Sequence, residues 1–515
     1  MTLSFKELIV VWVIAAVIFR LARPIALKFI HPDDLSRRRN SWFALTAVAF
    51  LAPGFWVFAL VAIPLLIWAG RRDSNPCAVY LLLFQVIPPL EIPVPMIGMQ
   101  HLLSLNMFLL LSFCVLTPLA LRTYRLKGQH PENALQFMDL CLLAYGLLAS
   151  VFYLRAMKPN GTLYPVSSTE SLRHAFVFFF DAFIPYYVVS RAGADRRKLR
   201  DMLATYCLCC AVLAAIAVFE TAWGWLLYGG MVAQLSTPAP GAFYLMRGGG
   251  LRAMASTGHP MALAHLLVLA FGLWLYLQTR LDSRLWKLGG VILFWTGLFA
   301  AFTRGALLGA VVVFFLFAAL RPRGASRLFS ATGAAVVVAV LIYLSPLGDK
   351  IVSVVPWFGG KMDAGSITYR ERLWERSWQI IKESPFLGDQ DAIPKMQDLR
   401  QGEGIVDVIN TYAGVLLNDG FLGLSLFLGF ILTALLKAWA GNRRTLSGDP
   451  DLSVLGAALV ACLVATLIMI LDSSLTRGPA RMFYVFAGFA AGYSVLVRAS
   501  LRSQSTVDTR PIVQV

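Results

Sequence analysis

The stretch Gly297–Leu320 reads "GLFAAFTRGALLGAVVVFFLFAAL". It is apolar and long enough to cross a bilayer, since a helical span takes about 20 such residues. Yet Arg304 lies inside it, and the next basic residue, Arg321, comes only where the run ends. Holding an arginine at mid-bilayer costs about 3 kcal/mol on insertion scales. The rest of the chain explains why a fixed charge is kept there.

The chain has 515 residues, 58% hydrophobic and 14% charged, with mean hydropathy +0.69. Soluble domains carry about 45–50% apolar and about 25% charged residues. Apolar runs recur from end to end, without the period-two alternation of an outer-membrane barrel. The fold expected is therefore all-α, a polytopic transmembrane helical bundle. The net charge of +17 fits Lys and Arg collecting in cytoplasmic loops. No basic soluble domain with interleaved aromatics exists, so no nucleic-acid partner is expected. The cysteines (Cys77, Cys114, Cys141, Cys207, Cys209, Cys210 and Cys462) sit almost entirely in apolar runs. They read as small buried hydrophobes, with neither a disulfide framework nor metal-ligand spacing. The N-terminal run lacks a small-residue cleavage site and reads as a retained helix.

Basic clusters set the topology. They fall at Arg20 to Arg39, Arg71–Arg72, Arg122 to Lys127, Arg191 to Arg200, Arg280 to Lys287, Arg321 to Arg327, Lys437 to Arg444, and after Arg498. With all of them in the cytoplasm, the runs between become out-and-back pairs: 77–90 with 102–121, 134–154 with 173–190, 201–221 with 254–278, 288–303 with 305–320, 328–346 with 409–436, and 452–473 with 481–498. The run 41–69 is broken by Pro53-Gly54, and its short halves read as a re-entrant or tilted hairpin. The sum is roughly 13–15 membrane segments. The chain divides into N-terminal helices (1–244), central helices with the Arg304 turn (245–346), a large outer loop (347–408), C-terminal helices (409–498) and a cytoplasmic tail (499–515). In the large loop, Leu373, Trp374, Trp378 and Ile381 recur at helical spacing, as in an amphipathic helix lying on the outer membrane face.

Arg304 thus falls at an outer turn. Two readings are open: a turn residue that snorkels to the interface, or a fixed cation facing a polar cavity. The second is preferred because the other outer-side charges are also arginine: Arg247 and Arg252 in the first long loop, Arg370, Arg372 and Arg376 in the second, and Arg477 and Arg481 near the last outer turn. Guanidinium groups grip phosphate in a bidentate fork and stay charged where water is scarce. Transfer to a hydroxyl also needs a proton acceptor. The outer side offers Glu403, Asp407, Asp419, Asp472 and Asp363. Asp407, where the chain re-enters the membrane, is either a base or the cap of the following helix; His259 is either a base or a helix-end residue held by Pro260.

Four pieces also carry a resemblance: "LRAMASTGHPMALAHLL", "FTRGALLGAVV", "YRERLWERSWQIIKESPFLG" and "DVINTYAGVLLNDGFLGLSLFL", within roughly 245–436. In this order they resemble the O-antigen ligase and Wzy-type polysaccharide polymerase superfamily of bacterial inner membranes. The resemblance implies a GT-C-type glycosyltransferase that needs neither metal nor cofactor. It would act at the periplasmic face on glycans carried by undecaprenyl diphosphate. Arg304 matches the family's arginine in a short S/T-R-G turn, and Arg370 the one opening the loop's amphipathic helix; both are implied to hold the lipid diphosphate. Ligases place a His in an H-N-x-Y element. Here "DVINTY" puts Ile409 at that place, beside Asn410 and Tyr412, which resembles the exopolysaccharide polymerase branch. Asp407 then stands as the base by position.

The expected function is a polymerase joining lipid-linked repeat units, with Arg304, Arg370 and Asp407 catalytic. Arg247, Arg252, His259, Arg372, Arg376, Asn410, Tyr412, Arg477 and Arg481 are expected to bind substrate. A ligase using the same donor is the first alternative. A lipid-linked glycan transporter would need charges along a path through the whole membrane, and a scaffold would need no cavity at all. Membrane lipids, a chain-length regulator and export machinery are the further partners the family implies.

Overall fold

The computed structural model describes residues 3–95, 102–128, 133–154, 168–235, 245–247, 250–324, 326–330, 332–333, 364–400, 406, 408–446 and 448–508. Among the described residues the apolar runs form helices, several of them opened by an N-cap side chain or a proline. α1 spans Leu3–Ala26, α2 Pro32–Leu51, α3 Phe55–Arg72 and α4 Pro76–Leu83. The break at Pro53-Gly54 does make a hairpin, but its arms are complete helices of 20 and 18 residues. α2 is longer than its apolar run because it starts at Pro32, and its polar first turns bury Asp34 and Arg38.

A two-residue antiparallel ladder (β1 Ile92–Pro93, β2 Ser104–Leu105) turns the chain on the outer side. α5 (Met107–Leu111) runs through a π-helical turn, Ser112–Leu116, into α6 (Thr117–Arg125). α7 (Phe137–Tyr153) then pairs with α8 (Ser168–Phe178), which continues through a second π turn, Phe179–Phe183, into α9 (Ile184–Ala192). Both π turns precede a proline, Pro118 and Pro185. Proline brings no N–H and its ring crowds the carbonyl one turn back, so the helix widens there without breaking.

α10 (Arg196–Trp223) is capped by Asp195, whose carboxylate accepts from the N–H groups of Arg197 and Lys198, and ends at Gly224 with φ +64°. α11 (Gly229–Leu235) and a second ladder (β3 Met246–Arg247, β4 Gly250–Leu251) lead to α12 (Pro260–Leu277). α13 (Arg284–Ala300) and α14 (Arg304–Leu320) follow. α15 (Ala364–Glu383) is the helix of the large loop, and α16 (Thr411–Thr445), α17 (Pro450–Met469) and α18 (Arg477–Asp508) close the chain. α18 runs on to Asp508, past the expected end of the C-terminal helices at 498. Run 328–346 lies mostly outside the described residues.

Among the described residues nine helices are long and apolar enough to cross a membrane, and α7 and α14 are shorter apolar helices. The protein is an all-α polytopic membrane protein. α12 is buried on every side and acts as a central post; α14 packs along it and on α17, while α18 lies against α9 and α16 against α7. One apolar core extends from Leu8 to Val497, so the N-terminal and C-terminal helices share it. All seven cysteines are free.

Candidate active site

α13 stops at Ala300 and α14 starts at Arg304, so the run Gly297–Leu320 is two helices and a tight outer turn. The turn is possible because Phe302 takes φ +46°, a left-handed conformation that bulky residues rarely hold. Thr303 is the N-cap, which puts Arg304 in the first turn of α14. Arg304 is half-buried, and its Nε is buried with no hydrogen-bond partner. A buried donor left unpaired costs about 1–3 kcal/mol, and the same holds for the Nε of Arg37, Arg191 and Arg321.

The first long loop folds onto this turn. Ala253 N–H donates to the Ala300 carbonyl (2.9 Å), and Arg252 donates from Nε to the Ala301 carbonyl (3.4 Å) and from Nη2 to Thr303 Oγ1 (3.3 Å). Glu220, fully buried at the end of α10, anchors the loop by accepting from the N–H groups of Leu227 (3.0 Å), Met254 (3.0 Å) and Ala255 (2.8 Å). Sequence reasoning passed over Glu220, although a lone carboxylate ending an apolar run was a visible signal. Arg247 pairs with Gly250 across the β3–β4 ladder.

The last outer turn supplies the other half. Asp472 forms an ion pair with Arg370 of α15. It also lies at the start of α14, where a Cβ on Gly305 would come within 3.0 Å of Asp472 Oδ2. A carboxylate therefore occupies the spot where the positive end of α14, Arg370 and the segment carrying Arg304 meet. Helix N-termini with arginine nearby bind phosphate by the same physics.

The "DVINTY" element is fastened to that same turn. Asn410 caps α16 through Oδ1, accepting from Ala413 N–H (3.1 Å). Thr411 N–H donates to the Ile470 carbonyl (3.0 Å) and its hydroxyl to the Ser473 carbonyl (2.8 Å); Ser474 Oγ donates to the Val408 carbonyl (2.6 Å). Tyr412 points into the bundle and donates to the Leu467 carbonyl (2.9 Å). Asp407, and likewise Glu403 and Asp363, lie outside the described residues.

Beside this seam a cleft of about 420 Å³ opens between α7, α8 and α16. Asn410, Asn418, Gln390 and the buried Asp419 present polar groups to it. On its other wall the Tyr153 and His174 rings stack at 5.3 Å, and Ser150 Oγ lies 3.2 Å from His174 Nδ1. Amides, a carboxylate and aromatic faces suit a sugar, which offers hydroxyls on its rim and C–H groups on its faces. Of these residues the sequence had singled out only Asn410 and Asp419, because the others gather only when three helices pack.

The remaining candidates are placed as follows. His259 is the N-cap of α12, with Nδ1 accepting from Met261 N–H (3.1 Å). Arg481 turns away from the outer turn and into the bundle, where it pairs with Asp181 and lies 4.5 Å over the Phe108 ring. Arg372 is exposed on α15. Arg376 donates to Gln379 Oε1 (3.0 Å) and to the Lys395 carbonyl (3.3 Å). Lys395 in turn bridges Asp389 (2.5 Å) and Glu383 (3.3 Å), and the Asp389 carboxylate holds its ammonium above the ordinary range. Arg247 and Arg477 belong to β3 and α18, and their side chains lie outside the described set. The apolar face expected on α15 divides. Leu373, Ile380 and Ile381 are buried against Met396, Leu399 and Leu417, whereas Trp374 and Trp378 stack outside at 5.9 Å. Successive helical residues are about 100° apart, so a stripe this wide cannot face one neighbour.

The fold is thus a polytopic membrane bundle in which an arginine turn, an ion-paired loop helix and a polar cleft adjoin. Residues 289–428 match the family model described as O-antigen ligase. The matched stretch, about a quarter of the chain, includes Arg304, Arg370 and the Asn410–Tyr412 element, and over it the chain is similar to the O-antigen ligase and Wzy-type superfamily. No curated protein matches the chain.

Proposed function

We propose that this protein is a polysaccharide polymerase. It joins undecaprenyl-diphosphate-linked oligosaccharide repeat units at the periplasmic face of the bacterial inner membrane. The observation that carries this reading is the Asp472 carboxylate, held at the start of α14 and paired with Arg370, next to Arg304 with its unpartnered Nε. A diphosphate displacing that carboxylate meets two guanidinium groups and a helix N-terminus together.

In this mechanism a hydroxyl of the acceptor unit attacks the anomeric carbon of the donor sugar. The new C–O bond forms as the bond to the diphosphate oxygen breaks, which inverts the anomeric centre. Arg304 and Arg370 stabilise the charge growing on the leaving diphosphate, as preorganised cations do in other group transfers. The hydroxyl proton passes to a carboxylate at the seam, with Asp407 the favoured base. The cleft of Asn410, Asn418, Gln390 and Asp419 holds the acceptor sugar. Arg252 braces the Arg304 turn through Thr303.

The second reading is a ligase passing the same donor to another acceptor, which the matched family's description favours. Ile409 at the position of a ligase histidine favours polymerase, since an aliphatic side chain takes no proton.

The test scores Arg304→Ala and Arg370→Ala for polymer length on a gel at equal membrane abundance. Each is expected to lower synthesis by about 100-fold or more. Normal polymer from both variants at normal abundance would overturn the mechanism. Deleting the protein separates the two readings: a lost polymerase leaves single repeats on the final acceptor, a lost ligase leaves long polymer on the carrier lipid.

A further inference from the structure

Two adjoining cavities on the cytoplasmic side play no part in the glycan chemistry. The first is an apolar groove of about 310 Å³ between the cytoplasmic halves of α1, α10, α12 and α13, walled by residues such as Leu21, Ile25, Leu208, Trp274 and Leu293. Gly289 lines it, and nothing lies within 4 Å of where a Cβ at that position would sit. The second is a cavity of about 1310 Å³, lined by eight Lys and Arg side chains and five Asp. Phe29 is a wall of both.

Most charges in the larger cavity are already matched. Arg38 holds Asp73 and Asp201, Arg37 pairs with Asp34, and Lys28 with Asp282. Arg196 pairs with Asp449, and Arg200 and Arg280 with Asp451. Asp195 caps α10, and Asp33 faces His31 at 3.8 Å. Arg72, Arg197 and Lys198 make no ion pair among the described residues and are exposed to the cavity. Three cations without an ion pair therefore line a polar cavity that shares its Phe29 wall with an apolar groove.

We propose that the two cavities together bind one anionic phospholipid of the inner leaflet. Its phosphate sits with Arg72, Arg197 and Lys198, and an acyl chain lies along the groove past Phe29 and Gly289. A soluble anion would satisfy the cations and leave the groove unfilled. A neutral lipid would fill the groove and leave the cations unmatched. Basic pockets between helices on the cytoplasmic side select anionic headgroups on this principle.

The test uses the full-length protein in detergent, titrated with phosphatidylglycerol, phosphatidylcholine of the same chains, or glycerol 1-phosphate. Phosphatidylglycerol is expected to raise the melting temperature by about 3 °C or more over phosphatidylcholine, and glycerol 1-phosphate to leave it unchanged. Gly289→Phe, which plugs the groove, and the Arg197→Gln/Lys198→Gln double variant are each expected to lose at least half of that rise. Equal effects of the two lipids, a rise with glycerol 1-phosphate, or a full rise in the double variant would each overturn the proposal. The double variant changes only exposed side chains, so it decides the matter if Gly289→Phe melts early in phosphatidylcholine.

Discussion

In the proposed mechanism Asp472 stands where a phosphate of the substrate would bind. Its carboxylate pairs with Arg370 and lies against the first turn of α14. Both side chains of the pair are nearly half exposed, so the bond adds little stability; its consequence is where it holds Arg370. If Asp472 acts through Arg370, the rate lost in Asp472→Asn is contained in the loss from Arg370→Ala. The double variant is then expected to synthesise polymer within about threefold of Arg370→Ala alone, a coupling measured by a double-mutant cycle. Full additivity of the two losses would give Asp472 a separate role. Tyr412 poses the opposite case. The sequence offered it as a substrate contact, but its hydroxyl donates to the Leu467 carbonyl inside the bundle. Tyr412→Phe is expected to keep polymer synthesis and to lower stability by about 1 kcal/mol, read from denaturant unfolding in micelles.

At the scale of the element, α16 is two helices joined at Gly420, with φ +63°. A break inside a membrane helix leaves N–H and C=O groups without partners, and each needs one in a dry setting. The segment after α15 provides them. The Pro385 and Phe386 carbonyls accept from Phe421 N–H (2.8 Å) and Leu422 N–H (3.2 Å). Asp389 N–H and Gln390 Nε2 donate to the Leu417 (2.6 Å) and Asn418 (2.8 Å) carbonyls. Gly388, at φ +65°, and Gly420 approach so closely that a Cβ on either would strike the other's backbone. The large loop is thus locked to the kink that sets Asn418 and Asp419 in the cleft. Gly420→Ala is expected to cost at least about 1–3 kcal/mol from the backbone conformation alone. It would also free the loop, seen as faster proteolysis between α15 and α16. Unchanged proteolysis would show that the loop is held elsewhere.

For the molecule as a whole, the buried ion pairs join helices far apart in sequence. Arg38 is 1% exposed, and its guanidinium reaches Asp73 at 2.7 and 2.8 Å, Asp201 at 2.5 and 2.9 Å, and Thr205 at 2.9 Å. Arg38→Met would leave two carboxylates buried without their cation, at a cost of about 3–5 kcal/mol. The expected result is loss of membrane abundance, measured by immunoblot, with no separate effect on the chemistry of whatever protein remains. The sequence by itself determined the helical, membrane-spanning class, and it carries the out-and-back order of spans and the outer side of Arg304, Arg252 and Arg370 as expectations. Hydropathy and basic clusters are local properties that the bilayer reads span by span. It could not say which outer charges meet. Arg481 and Arg370 look alike in sequence, yet one is paired with Asp181 inside the bundle and the other meets Asp472 at the outer turn. That choice, like the cleft and the kink of α16, depends on which helix lies beside which. The tertiary structure decides it, because a charge in or near a membrane settles against the partner that packing brings within reach.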